Sequence, residues 1–192
     1  MFPWAAFLSY IFIMTITPGP NNIMAMNNAA KKGLRKALPF NFGVLTGVFI
    51  VLILCIIFSS LLYTLIPRIQ FPMKVLGAVY ILYLALKPLL PSGKKNVRDS
   101  SGSYIAGTVI QLINPKLIIY GITAMSSFIL PWFSSVPILI CFAFLLAVTG
   151  FIMTLCWTAF GSLFSKIFSE HGRILNIVMA LLLIYCAVSL FL

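Results

Sequence analysis

The chain has 192 residues, of which 62% are hydrophobic and only 8% are charged. Soluble proteins are roughly 45–50% apolar and about 25% charged, so this composition excludes a water-soluble domain. Since a membrane-spanning helix needs about 20 apolar residues, the length allows six or seven spans and no nucleotide-binding domain. The net charge of +11 does not indicate a nucleic-acid partner, because the basic residues lie mainly between the apolar runs, where they record membrane orientation.

Six apolar runs follow one another along the chain. Each is expected to be a helix, because a single segment in lipid can satisfy its backbone hydrogen bonds in no other way. The first run has no basic start and no cleavage pattern, so it is predicted to be a retained span. The predicted spans are about 4–26, 40–65, 73–90, 105–130, 137–160 and 174–192, and the polar linker 91–103 separates the third from the fourth.

The positive charges predict the orientation of these spans. Ten lysines and arginines lie after spans one, three and five, whereas two lie after span two and none lie after span four or at the termini. Basic loops stay on the cytoplasmic side of the membrane. Both termini are therefore predicted to lie outside the cytoplasm.

The linker divides a single transporter domain into two halves, residues about 1–90 and about 104–192. Because each half has three spans, the halves enter the membrane from opposite sides, as in many secondary transporters with inverted repeats. Pro18 and Pro115 lie in the first span of their halves and are 97 residues apart, about half the chain. We therefore predict an all-α fold of six transmembrane helices, arranged as an inverted 3+3 repeat with the first helix of each half broken at proline.

The first break is predicted at Pro18, Gly19 and Pro20. Two prolines remove backbone donors and glycine permits a sharp turn, and irregular backbone at membrane depth is tolerated where it is buried or lines a wet cavity. A second half-helix is expected to begin near Pro20, with free N–H groups that favour an anion. Asn21 and Asn22 add amide groups for substrate binding. A proline kink repaired by neighbouring helices is the alternative.

The second break is predicted at Asn114, Pro115 and Lys116. Lys116 lies about 11 residues into its span, roughly 16 Å along the axis and near the bilayer midplane, where a charge costs at least about 2.5–3.5 kcal/mol. We expect this lysine to face a wet cavity and bind a substrate carboxylate, with Gln111 and Tyr120 as neighbours. The substrate ammonium is expected to meet carbonyls freed at the prolines and asparagine amide oxygens. A lysine that extends to the membrane surface is the alternative.

Other notable residues are predicted to be structural. Gly43 and Gly47 form a GxxxG motif that permits close helix packing, Asn41 is expected at the membrane interface, and His171 is expected on a solvated loop. The four cysteines have no CxxC or Cys/His spacing, so no metal site or cofactor is predicted. They are expected to be buried small hydrophobic residues: Cys55, Cys141, Cys156 and Cys186.

Several motifs are spread over almost the whole chain: TPGPN at 17–21, glycines at 33, 43 and 47, GAVYILYLA at 77–85 and NPK at 114–116. In these motifs the chain resembles the LysE/RhtB superfamily of bacterial amino-acid exporters. The resemblance implies a proton-driven exporter of the inner membrane for small neutral amino acids or their derivatives, above all cysteine and O-acetylserine. Homoserine, threonine or basic amino acids are alternative substrates. Several relatives carry an acidic residue in or near span two; residues 40–65 contain none, so no coupling residue is assigned.

Other classes of membrane protein fit the sequence less well. A thiol–disulfide carrier needs a reactive cysteine at each break, and none lies near Pro18 or Pro115. A membrane-embedded enzyme needs an intramembrane acid, histidine pair or metal site, and the predicted spans contain no acid or histidine. A passive pore or regulatory subunit remains open on sequence alone. We predict a non-enzymatic transporter whose partners are its amino-acid substrate, the lipid bilayer and, in a homodimer, a second copy.

Overall fold

A computed structural model describes residues 1–58, 102–164 and 172–189, with a few positions between 71 and 86. All regular structure within these ranges is helical, which confirms the predicted all-α class. The helices are α1 (Trp4–Ile16), α2 (Pro20–Lys32), α3 (Leu34–Ile57), α4 (Tyr104–Leu112), α5 (Pro115–Thr123), α6 (Val136–Leu163) and α7 (Gly172–Ser189), and α5 continues as a π-helix over Ala124–Ile129.

Two of the described helices, α3 and α6, are long and apolar enough to cross a membrane by themselves. The helices α4 and α5, with the π-helical extension, form a third candidate span that is bent by 64° at its break. Helix α1 is apolar but shorter. Most of predicted span three, nearly all of linker 91–103 and His171 lie outside the described residues, so the six-span repeat stays a prediction.

The connection between the first two spans is much shorter than predicted. Helix α2 continues to Lys32, and Gly33 alone separates it from the start of α3 at Leu34. Gly33 has φ +81°, a conformation that glycine adopts without steric penalty. The predicted start at residue 40 was wrong because the first turns of α3 are basic and include Pro39, and hydropathy marks only the apolar part of a helix.

Helix α2 lies inside the bundle although four of its thirteen residues are asparagine. It packs mainly against α6 and α3, and most of its side chains are buried. The approach to α6 is close, because a Cβ at Gly161 would overlap the backbone carbonyl of Met26. A polar helix is tolerated here because neighbouring helices, rather than lipid, surround it.

Small residues also bring α3 and α4 together. A Cβ at Gly43 would overlap the carbonyl oxygen of Tyr104, and a Cβ at Gly107 would overlap that of Phe40. The hydroxyl of Thr108 donates to Gly43 O at 3.2 Å. The predicted packing role of the GxxxG motif is therefore confirmed at Gly43.

Gly43→Val is expected to destabilise the protein, because the added side chain must push α4 away from α3. Overpacking typically costs about 1–3 kcal/mol, and membrane helices associate chiefly through such close van der Waals contact. The measurement is the thermal midpoint and membrane yield of the variant. Ile50→Ala, at an outward position on the same helix, is the control and should behave like the wild type. A Gly43→Val protein with the wild-type midpoint would contradict this packing.

The ends of the bundle can be recognised from long-range contacts. Phe2 packs on Phe7 of α1 and on Phe133 and Phe142, with ring centroids 5.2–6.0 Å apart. The N-terminus and the segment before α6 therefore share one end. At Gly102 a Cβ would lie 3.1 Å from the Nζ atom of Lys32, so the start of the second half lies where α2 ends.

The cysteine prediction is correct for only one of the three cysteines whose side chains are described. Cys55 is buried, whereas Cys141 and Cys156 are exposed on the outside of α6. The side chain of Cys186 lies outside the described residues. Because lipid is as apolar as the protein interior, the hydropathy of a spanning helix does not show which of its faces points outward.

Candidate functional site

The chain leaves helix α1 at Thr17 and enters α2 at Pro20. Gly19 is the extended N-cap of α2, and Pro20 occupies its first position. This confirms that the second half-helix begins at Pro20. The first position suits proline because its missing N–H would have no partner there in any case.

Protein donors occupy the carbonyl groups that this break releases. Asn22 Nδ2 donates to Thr15 O at 3.0 Å and to Thr17 O at 3.2 Å. The indole nitrogen of Trp157 donates to Ile16 O at 3.2 Å. The break is thus a fixed, hydrogen-bonded part of the interior. Side chains from α2 and α6 already donate to these carbonyls, and the expectation that the carbonyls also meet a substrate ammonium stays a prediction.

The second break has the same construction at the start of its half-helix. Asn114 is the N-cap of α5, and its Oδ1 accepts from the backbone nitrogen of Lys116 at 3.1 Å. Pro115 occupies the first helical position. The structural counterpart of Pro115 is therefore Pro20, not Pro18 as the sequence spacing suggested, because each of these two prolines begins a half-helix.

Lys116 joins the two breaks. Its Nζ atom donates to the carbonyl oxygen of Thr17 at 3.0 Å and to the Thr17 hydroxyl at 2.7 Å. Both acceptors are neutral, and the chain's two acids, Asp99 and Glu170, lie outside the described residues. The side chain extends across the bundle to the other break. The alternative prediction required it to extend toward the membrane surface instead.

A small, partly open cavity of about 40 Å³ lies between the breaks. It is lined by six of the ten residues singled out from the sequence: Asn21, Asn22, Gln111, Asn114, Lys116 and Tyr120. The other four shape the backbone without lining the cavity: Pro18, Gly19, Pro20 and Pro115. The sequence did not single out the remaining lining residues, Met14, Thr15, Val48, Leu117 and Gly150, because most are ordinary members of apolar runs.

Two buried groups at this cavity lack a hydrogen-bond partner within the described parts of the chain. They are the Nε2 atom of Gln111, a residue that is 1% exposed, and the hydroxyl of Tyr120, which is 4% exposed. A buried polar group left unpaired costs about 1–3 kcal/mol, so water or a ligand is needed there. An amide nitrogen can only donate, and a phenol can donate. Together with the ammonium of Lys116, these groups suit an anion that has several acceptor oxygens.

Threonines of α6 hold two asparagines in place. The hydroxyl of Thr154 donates to Asn22 Oδ1 at 3.1 Å, and Thr158 and Asn41 exchange hydrogen bonds of 2.9 and 3.1 Å. Asn41 is fully buried inside the protein, within a helix that begins earlier than predicted, and its interfacial depth in the membrane stays a prediction. The four-residue spacing of the two threonines is the signal that could have identified them.

Tyr10 supports the cavity wall from α1. Its ring stacks on that of Tyr120, with centroids 5.9 Å apart and an interplanar angle of 15°. Its hydroxyl donates to the backbone oxygen of Tyr120 at 3.4 Å. Phe128 stacks on Tyr10 in turn at 5.5 Å. The wall at Tyr120 is thus continuous with the aromatic residues near the N-terminal end.

Broken membrane helices that meet at a polar cavity are typical of secondary transporters. The profile of the LysE type translocator family matches residues 12–192. The chain is 38% identical to cysteine/O-acetylserine efflux proteins of Salmonella choleraesuis (strain SC-B67), Salmonella typhimurium (strain LT2) and Escherichia coli O1:K1, over 97% of this chain and 96% of each relative. No solved structure gives a significant match. The chain belongs to the LysE-type translocator family of multi-pass membrane proteins, which confirms the resemblance found in the motifs.

Proposed function

We propose that this protein is a secondary transporter of the bacterial inner membrane that exports cysteine and O-acetylserine. Its relatives of 38% identity are cysteine/O-acetylserine efflux proteins, which supports this substrate class. The observation that carries the proposal is the cavity between two broken helices, which is lined by Lys116 and by two residues with a buried polar atom unpartnered among the described residues, Gln111 and Tyr120. Amino acids present a carboxylate that can accept several hydrogen bonds at once, which is the ligand that such donors suit.

In this proposal, the substrate carboxylate binds Lys116 Nζ, Gln111 Nε2 and Tyr120 OH. The substrate ammonium is assigned to the amide oxygen of Asn21. The nitrogen of that amide faces the hydroxyl of Thr154 at 3.5 Å. Its oxygen lies beside Gly19, 3.3 Å from where a Cβ of that residue would be. Binding thereby satisfies the two buried groups that otherwise need water.

Competition for Lys116 connects binding to movement. Thr17 belongs to the first half of the chain and Lys116 to the second, and the two are hydrogen-bonded in this structure. A carboxylate forms a stronger hydrogen bond with an ammonium than a neutral carbonyl or hydroxyl does. A bound substrate therefore weakens a contact between the halves. It favours whichever conformation separates them, as alternating access requires.

We further propose six spans arranged as an inverted 3+3 repeat, with both termini outside the cytoplasm. The equivalent prolines that begin α2 and α5 support the repeat. The shared end of Phe2 and Phe133 supports the alternation of spans, since both lie opposite the basic end of α2. The absolute orientation rests on the distribution of lysine and arginine. A homodimer and the coupling to protons are proposed without a structural assignment.

The test is export of labelled cysteine and labelled O-acetylserine from cells that either express the protein or lack it. Efflux of both is expected to rise with expression. A panel that includes homoserine, threonine and lysine serves as the control for specificity. If the two proposed substrates left at the same rate with and without the protein while another amino acid responded, the substrate assignment would be wrong and the family assignment would stand.

A further inference from the structure

No contact among the described residues requires glycine at position 150. Gly150 lies within the long helix α6, where glycine is less favourable than alanine. Its backbone does not require glycine either, because Gly33 is the one position of the described chain with positive φ. A Cβ at Gly150 would meet no described atom within 4 Å, whereas a Cβ at Gly43 or Gly161 would overlap a neighbouring backbone.

The position of Gly150 relates it to the substrate site. It borders the cavity between the breaks, and its carbonyl oxygen accepts from the Thr154 hydroxyl at 2.9 Å. The same hydroxyl lies 3.1 Å from Asn22 Oδ1, and its single proton is shared between these two acceptors. The proposed carboxylate ligands come from α4 and α5, so α6 contributes a different wall. The missing side chain therefore leaves room at the cavity beside the polar contacts of α2.

We propose that Gly150 determines specificity, and that the space beside it receives the side chain of the bound amino acid. This inference rests on the proposed export function. With the carboxylate held at Lys116, the substrate side chain extends into the space that α6 leaves open. The O-acetyl ester is longer than the thiol of cysteine and needs more of that space. A methyl group at position 150 reduces the space in the pocket. It therefore impairs binding of O-acetylserine, the longer substrate, before it impairs binding of cysteine.

The experiment compares export of the two labelled substrates by Gly150→Ala and Gly150→Val. Because one methylene in a pocket changes discrimination by about tenfold or more, Gly150→Ala is expected to reduce O-acetylserine efflux about tenfold and cysteine efflux much less. Gly150→Val is expected to block both. The purified Gly150→Ala protein should have a thermal midpoint equal to or above that of the wild type, because alanine favours the helix. Ala159→Val, on the exposed side of α6, is the matched control and should export both substrates normally.

Two sets of results would overturn this inference. Wild-type export of both substrates by Gly150→Ala, or an equal loss of both, would show that position 150 does not select by size, and the proposed function would stand. If the wild-type protein itself exported neither substrate, the proposed function would fail first, and the inference would fail with it. The two failures are distinguishable because the second is visible before any substitution.

Discussion

Lys116→Met is expected to abolish export and to leave the protein folded in the membrane. Methionine is similarly long and flexible but removes the ammonium that binds Thr17 and, in our proposal, the substrate carboxylate. The carbonyl of Thr17 still accepts from Asn22 at 3.2 Å, and its hydroxyl still donates to Ile13 O at 2.9 Å. A charge in the membrane interior costs at least about 2.5–3.5 kcal/mol on insertion scales, so its removal offsets part of the loss of the Lys116 hydrogen bonds. Initial export rates, membrane yield and the thermal midpoint of the purified variant together test this expectation.

Lys116→Arg is the matched variant that retains the charge. A planar guanidinium does not replace a compact ammonium in a confined site, so export is expected to fall strongly here too. Substrate should stabilise the wild-type protein against heat by about 2.7 kcal/mol at a concentration of 100 Kd. No such protection is expected for Lys116→Met. If Lys116→Met exported at the wild-type rate, the carboxylate could not be bound by this lysine.

Asn22→Ala is expected to produce a large loss of stability together with loss of export. Its amide nitrogen donates to Thr15 O and Thr17 O, and its amide oxygen accepts from Thr154. In the variant, Thr17 O keeps its hydrogen bond from Lys116, and the Thr154 hydroxyl keeps its hydrogen bond to Gly150 O. Thr15 O loses the hydrogen bond from Asn22, which is the donor described for it. One unpaired buried carbonyl costs about 1–3 kcal/mol. The thermal midpoint of the purified protein measures this effect.

Asn22→Asp tests whether the hydrogen bonds that Asn22 donates, rather than the size and shape of its side chain, stabilise the protein. Aspartate has nearly the same size, but it presents two acceptor oxygens to two carbonyl oxygens. It is therefore expected to be at least as damaging as alanine. Asn27→Ala, at a half-buried asparagine of the same helix, is the control and should change the midpoint little. A stable, active Asn22→Asp protein would show that donation from residue 22 to Thr15 O and Thr17 O is not needed.

The breaks of the fold could be predicted from sequence because their causes are local. A few consecutive residues are enough to show a proline that begins a helix, or a charged residue far from a membrane surface. Pro20, Pro115 and Lys116 were identified in this way. The start of α3 was not, because Gly33 makes a one-residue connection between two basic helix ends, and hydropathy does not register such a turn.

The partners of the site residues could not be predicted because they are distant in the chain. Thr154 lies 132 residues after Asn22, with which it is hydrogen-bonded, and Lys116 lies 99 residues after Thr17. The four-residue spacing of Thr154 and Thr158 places both on one face of α6, but this local pattern does not show which residues of other helices they contact. The residues around the cavity were predicted as separate candidates, and it is the packing of α2 against α6 that determines which of them meet.

The positions of the cysteines have a consequence for redox chemistry. Cys55 is buried in the core, Cys141 and Cys156 point outward, and none of these three lines the cavity. Thiol–disulfide exchange requires one sulfur to attack another directly through a mixed disulfide. In a carrier of cysteine, a cargo thiol in this cavity therefore remains out of contact with these three thiols. The cargo can pass without becoming covalently attached to them, and oxidation of Cys141 or Cys156 at the lipid face would leave the binding groups unchanged.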